Sequence, residues 1–300
     1  MVGHDHGHGS ANPRRLLIAL VITAGILMAE VIGAVLTGSL ALLTDAGHML
    51  TDVLGLTVAL IAARSMQRPA SNRRTWGFLR AEVLAAGAQA TILLGVGGYA
   101  IVEGIRRMLT PEPVAPLPVL IFGIVGLAGN LGSMLVLTAG RKDNLNMRAA
   151  FYEVVVDALG SVAVVVSALV VALSGWQRAD PIAGLLIAVL ILPRALIILR
   201  EAGSVLLEST PPGLDLDTVR RHILEIDQVV GLHDLHASRI STDLPVLSAH
   251  VVLTDETFRS GELPVILDRL QQCLSGHFDV EHSTFQFEPQ THLAHEHTHG

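Results

Sequence analysis

Apolar residues fall into six long blocks, about 15–37, 40–63, 81–108, 116–139, 148–174 and 181–207, separated by short polar stretches rich in Arg, Pro and Gly. At about 1.5 Å rise per residue each block is long enough, as a helix, to cross ~30 Å of hydrocarbon. Past "LLESTPPGLDLD" the pattern changes, because Pro211, Pro212 and Gly213 stop the last long helix and the apolar runs shorten. A helical period covers "DLDTVRRHILEID", and "GLHDLHASRIS" and "VLSAHVVLTDE" read as strands. A second helix, "GELPVILDRLQQCLSG", leads into a last strand, "HSTFQFEP". The order α-β-β-α-β predicts a small open-faced sandwich. The expected organisation is a His-rich tail over 1–14, a six-helix transmembrane domain over 15–209, an α+β domain over 210–290 and a second His-rich tail over 291–300.

Composition agrees with a polytopic membrane protein: 51% of residues are hydrophobic and only 16% are charged, less charge than a soluble domain of this length carries. The N-terminal stretch lacks the basic start, short apolar core and small-residue cleavage site of a signal peptide, so the first block is expected to be a retained span. Arg14, Arg15, Arg64, Arg68, Arg73, Arg74, Arg141, Lys142 and Arg148 fall on the side of the N-terminus, against Arg106, Arg107 and Arg178 on the other. This imbalance predicts that both termini are cytoplasmic. A net charge of −7 without a basic patch argues against a nucleic-acid partner. One cysteine, Cys273, excludes an intramolecular disulfide and a Cys-rich zinc ribbon, so metal chemistry must draw on His and carboxylates.

Ionisable residues interrupt two of the blocks at helical spacing. "TDAGHMLTD" places His48 and Asp52 one turn apart on one face of the second helix, with Asp45 three residues before His48. "FYEVVVDALGS" repeats the spacing with Glu153 and Asp157 in the fifth. An ionisable group at the centre of a span costs about 2.5–3.5 kcal/mol on insertion scales, so such groups face a cavity, a partner or an ion. Four ligand-type side chains on two facing helices suit a tetrahedral divalent ion such as zinc; the plainer reading is local hydrogen bonding between helices. Three carboxylates converging on one site repel, so at least one holds a proton when no metal is bound, and metal binding expels it. Proton release on metal binding is half of an antiport cycle. Glu30, Gln89, Glu103 and Asn130 are further polar groups inside spans, with Glu103 expected near the outer interface and Glu30 and Asn130 in inter-helix hydrogen bonds.

These stretches resemble the cation diffusion facilitator family of metal exporters. "LLTDAGHMLTDVLGL" is similar to the family's second-helix signature and "NLNMRAAFYEVVVDALGSV" to its fifth-helix signature; "DPIAGLLIAVLIL" resembles the start of its sixth helix, and "GLHDLH" with "SAHVVL" its cytoplasmic domain. The resemblance implies a homodimer of six-helix protomers, with a ferredoxin-like, metallochaperone-like cytoplasmic domain. It places the transported ion at His48, Asp52, Glu153 and Asp157; Asp45, by its spacing from His48, is read separately, as a group behind the ligands that orients His48. Glu153 stands where many zinc transporters of the family have a second His, a harder donor set that keeps Zn2+ as the first expectation and adds Co2+, Cd2+, Fe2+ and Mn2+. Matching strands offer His233, His250 and Glu288 as a structural or regulatory zinc site, with His236 and His282 close by in sequence. Arg80 and Glu208 match positions of an ion pair near the membrane surface, a hinge latch or an ordinary interfacial anchor. The family's loop site between the second and third helices has no counterpart in "QRPASNRRTWGF".

The function expected is Zn2+/H+ antiport out of the cytoplasm by alternating access, in a bilayer that is expected to be a bacterial inner membrane. Two rival readings are a metal-sensing membrane protein and an intramembrane metalloenzyme. The second is disfavoured because the chain has no H-E-x-x-H pattern. Alternating histidines at the two ends, His4, His6 and His8, then His292, His295, His297 and His299, belong either to weak metal capture or to plain tails.

Overall fold

The computed structural model describes residues 13–66, 71–138, 145–242 and 244–295. The N-terminal histidines, His297 and His299 lie outside them. Six long helices come first: α1 Pro13–Thr37, α2 Leu40–Met66, α3 Leu79–Leu109, α4 Pro116–Thr138, α5 Leu145–Ser174 and α6 Ala179–Leu206. A helix satisfies its own backbone N–H and C=O groups, which hydrocarbon cannot do. Among the described residues, α3, α4 and α6 over their whole length, with Leu20–Thr37 of α1 and Phe151–Ser174 of α5, are long and apolar enough to cross a membrane. Helix α2 is as long but interrupts its apolar run with Asp45, His48 and Asp52.

The chain forms two compact units, one of residues 1–61 with 85–199 and the other of residues 62–84 with 200–300. In the first, outward-facing Val35, Leu135 and Leu173 are largely exposed, as a lipid-facing surface requires. Its helix contacts use small residues. A Cβ on Gly129 of α4 would lie 2.6 Å from the Ile26 side chain of α1, and one on Gly47 of α2 would lie 2.4 Å from Val96 of α3. Gly38, at φ 68°, makes the tight turn between α1 and α2. The new helix is capped from a distance: Asp180 of α6 accepts the Leu40 backbone N–H at 2.7 Å and the Ser39 hydroxyl.

In the second unit, α7 Leu216–Leu224, β1 Val229–Ser241, β2 Leu244–Leu253, α8 Asp255–Ser260, α9 Leu263–His277 and β3 His282–Pro289 follow in order. Strands β1 and β2 are antiparallel, β2 and β3 parallel, in the order β1-β2-β3. Val219 and Ile223 of α7 and Ile266, Leu270 and Leu274 of α9 pack with Leu247, Ala249, Val251 and Leu253 of β2 in one core. Alternation leaves the other side of the sheet for His250 and its neighbours. The α-β-β-α-β order is present, with one addition. The "TDE" after Leu253, expected to end a strand, instead starts α8, because Thr254 caps it by accepting the Thr257 N–H at 3.2 Å.

The same unit holds the start of α3. Arg80 donates to Glu208 at 2.9 Å, Val83 packs with Ala202 and Val205, and Trp76 meets the His282 ring at 5.6 Å. The Arg80 and Glu208 side chains are both exposed, so the pair contributes at most about 1 kcal/mol.

Candidate metal centre

Helical spacing brings His48 and Asp52 to one face of α2, and α5 brings Asp157 against them. His48 Nε2 lies 3.1 Å from Asp157 Oδ1 and 3.7 Å from Asp52 Oδ2. All three side chains are buried, and one ligand atom from each lies within 4.8 Å of the others. Beyond the His48–Asp157 contact, His48 Nδ1 and Asp52 Oδ2 lack a hydrogen-bond partner. Leaving a buried polar group unmatched costs about 1–3 kcal/mol, and more for a charged one. Such a group of donors is a candidate site for a cation. Ligands about 2.0–2.2 Å from a tetrahedral zinc stand about 3.3 Å apart, close to the separations seen.

Glu153, one turn before Asp157, points elsewhere. Its Oε1 accepts a hydrogen bond from Arg194 of α6 at 2.6 Å. Arg194 escaped the sequence reading, although an Arg inside "ILPRALIIL" is the signal that could have found it. Asp45 is buried and bonds Ser161 of α5 at 3.4 Å, and Asn130 of α4 donates to the same hydroxyl at 3.1 Å. Its other oxygen faces Gly160, where a Cβ would lie 2.6 Å away. Asp45 thus ties α2 to α5 and α4 behind the centre. Glu30 of α1 is buried over Gly126 of α4 in the same layer of polar groups. Glu103 is met by Arg106 and Arg107, at 2.6 and 2.8 Å.

A second group sits on the open face of the sheet. Register sets His233 opposite His250, and Glu288 reaches both, at 3.0 Å from His233 Nε2 and 2.7 Å from His250 Nδ1. Asp234 braces the other His233 nitrogen at 3.2 Å. His236 pairs in register with Ser248, and His282 meets Trp76 instead of joining the group.

Residues 16–207 match the family model of the cation efflux transmembrane domain, and residues 211–290 match that of the cation efflux protein, cytoplasmic domain. The chain belongs to the cation efflux family. This family is the one that the signatures in the second and fifth helices resemble, and it places the protein among transporters, not enzymes. The cation efflux protein is 40% identical, over 95% of its length and 90% of the relative's, to the metal cation efflux system protein CzcD of Cupriavidus metallidurans. It is 38% identical to the zinc transporter ZitB of Escherichia coli, over 96% of this chain and 93% of the relative. It is 37% identical to the cadmium, cobalt and zinc/H(+)-K(+) antiporter of Bacillus subtilis, over 97% and 93%. Among solved structures, the metal-bound C-terminal domain of the CzcD transporter matches 25% of this chain and 99% of its own at 33% identity, with a TM-score of 0.23.

Proposed function

We propose that this cation efflux protein exports Zn2+, and with it Cd2+ and Co2+, from the cytoplasm in exchange for protons. His48, Asp52 and Asp157 bind the ion directly, and Glu153 completes the set when it leaves Arg194. The observation that carries this reading is the buried group of three ligand atoms within 4.8 Å. Relatives named for zinc, for cadmium and cobalt, and for antiport against H+ and K+ support the same cargo and coupling.

Cargo ions are taken by deprotonated donors, so loading from the cytoplasm displaces protons from the imidazole and carboxyls to that side. Once the site faces outward, protons from outside compete the metal away and recharge the same groups. Both termini lie in the cytoplasm, two protomers pair through the C-terminal domain, and the membrane is a bacterial inner membrane. His233, His250 and Glu288 hold a regulatory zinc, and the Arg80–Glu208 pair is a latch at the membrane surface.

The test is zinc flux in proteoliposomes with and without a proton gradient. Asp52→Asn or Asp157→Asn should each lower flux by more than about a hundredfold, since each removes a charge from the ligand set. Unchanged flux in both variants would overturn the assignment.

A further inference from the structure

We infer that His222, Cys273 and His277 form a separate soft-metal site on the helical layer of the C-terminal domain, taking Zn2+ or Cd2+ through two imidazoles and one thiolate. Their ligand atoms lie within 4.8 Å of one another, the same closeness as in the two His-carboxylate groups. Cys273 and His277 are four apart on α9, hence on one face one turn apart. That face flanks the buried row of Ile266, Leu270 and Leu274. His222 comes from α7, next to Ile223, whose side chain is anchored in the same core.

Packing holds the donors in place. The His222 and His277 rings meet edge to face with centroids 5.2 Å apart, and Phe278 meets His222 at 5.1 Å. His222 and Cys273 are half-buried and His277 is exposed, so the site opens to solvent on one side, with room for a water as fourth ligand. Burial, and secondarily Glu225, pushes the Cys273 thiol above its ordinary range, so the sulfur arrives protonated. Binding replaces the S–H bond with a sulfur–metal bond and releases that proton to solvent, with no change of oxidation state.

Sulfur separates this site from the others in kind. The centre on α2 and α5 and the group on the open sheet offer nitrogen and oxygen only, whereas a thiolate favours Cd2+ and Zn2+ over Mn2+ and other hard ions. It also crosses from α7 to α9, so metal there staples a nine-residue helix that is too short to be stable alone. The cation efflux protein thereby reads soft cytoplasmic metal through the packing of α7.

Cys273 is the chain's single cysteine, which makes the test unambiguous. Purified full-length protein is titrated with Co2+, whose sulfur-to-cobalt charge-transfer band arises from no imidazole or carboxylate ligand. The expected result is a band saturating at one Co2+ per chain, absent from Cys273→Ser and kept in His233→Ala. Half-saturation should rise more than about tenfold in His222→Gln and His277→Gln, the scale of loss seen even for groups one step removed from a ligand. Zn2+ should also slow alkylation of Cys273 by a maleimide in the unmodified chain. No band at saturating Co2+, or a band indifferent to both histidine variants, would overturn the site. The alkylation rate needs no variant, so it decides the matter even if a substitution harms folding.

Discussion

Glu153 is the residue on which we propose that metal choice turns. Its spacing from Asp157 matches that of His48 from Asp52, so the sequence marks it as a ligand, yet in the structure it bonds Arg194. The i, i+4 period is written in the chain because one helix turn is a local property. Arg194 is a partner from a different helix, and no spacing encodes it. An anionic oxygen donor that must leave a guanidinium suits harder ions, and a neutral imidazole would have no such partner to leave. In competition between Zn2+ and Co2+ on purified protein, Glu153→His should raise the preference for Zn2+ about tenfold. An unaltered ratio would remove Glu153 from the ligand set.

Among elements, α2 and α5 matter most, because their approach sets the centre. Gly160 lets them come together, with the Asp45 carboxylate resting where a side chain would otherwise begin. Gly160→Ala would place a Cβ 2.6 Å from Asp45 Oδ1, so the carboxylate must shift and its bond from Ser161 is strained. Overpacking of this kind costs about 1–3 kcal/mol. The variant should therefore lower the thermal midpoint in detergent and reduce zinc flux while still inserting. Unchanged flux would show that the Asp45–Ser161 tie is dispensable. The helices themselves were legible, because long apolar runs in a bilayer admit little else. The start of α8 was not, since Thr254 continues the alternation of the preceding strand and only its hydroxyl cap distinguishes the two states.

At the scale of the molecule, sequence places the domain boundary near residue 210, where apolar runs give way to Pro and Gly. Packing also gathers residues 62–84 with 200–300, through contacts such as Trp76 with His282 and Val83 with Ala202. Those contacts join residues 206 and 119 positions apart in the chain, beyond the reach of any local period. A chain ending before Pro211 loses the His282 and His250 groups but keeps the whole α2–α5 centre. It should retain zinc flux, several-fold reduced, that Asp52→Asn abolishes. Metal binding with no flux at all would favour the sensor reading instead.

The carboxylate of Asp180 has a mechanical consequence. A helix end held at Ser39 and Leu40 by one carboxylate cannot slide along its axis without breaking both bonds, whereas a tilt about them can keep both. At about 1.5 Å per residue, His48 stands about 12 Å from that fulcrum and Asp52 about 18 Å. A tilt of about ten degrees swings them sideways by about 2 and about 3 Å, the outer ligand half as far again as the inner. Such a tilt would open the centre by unequal arcs, with Asp52 travelling farther than His48.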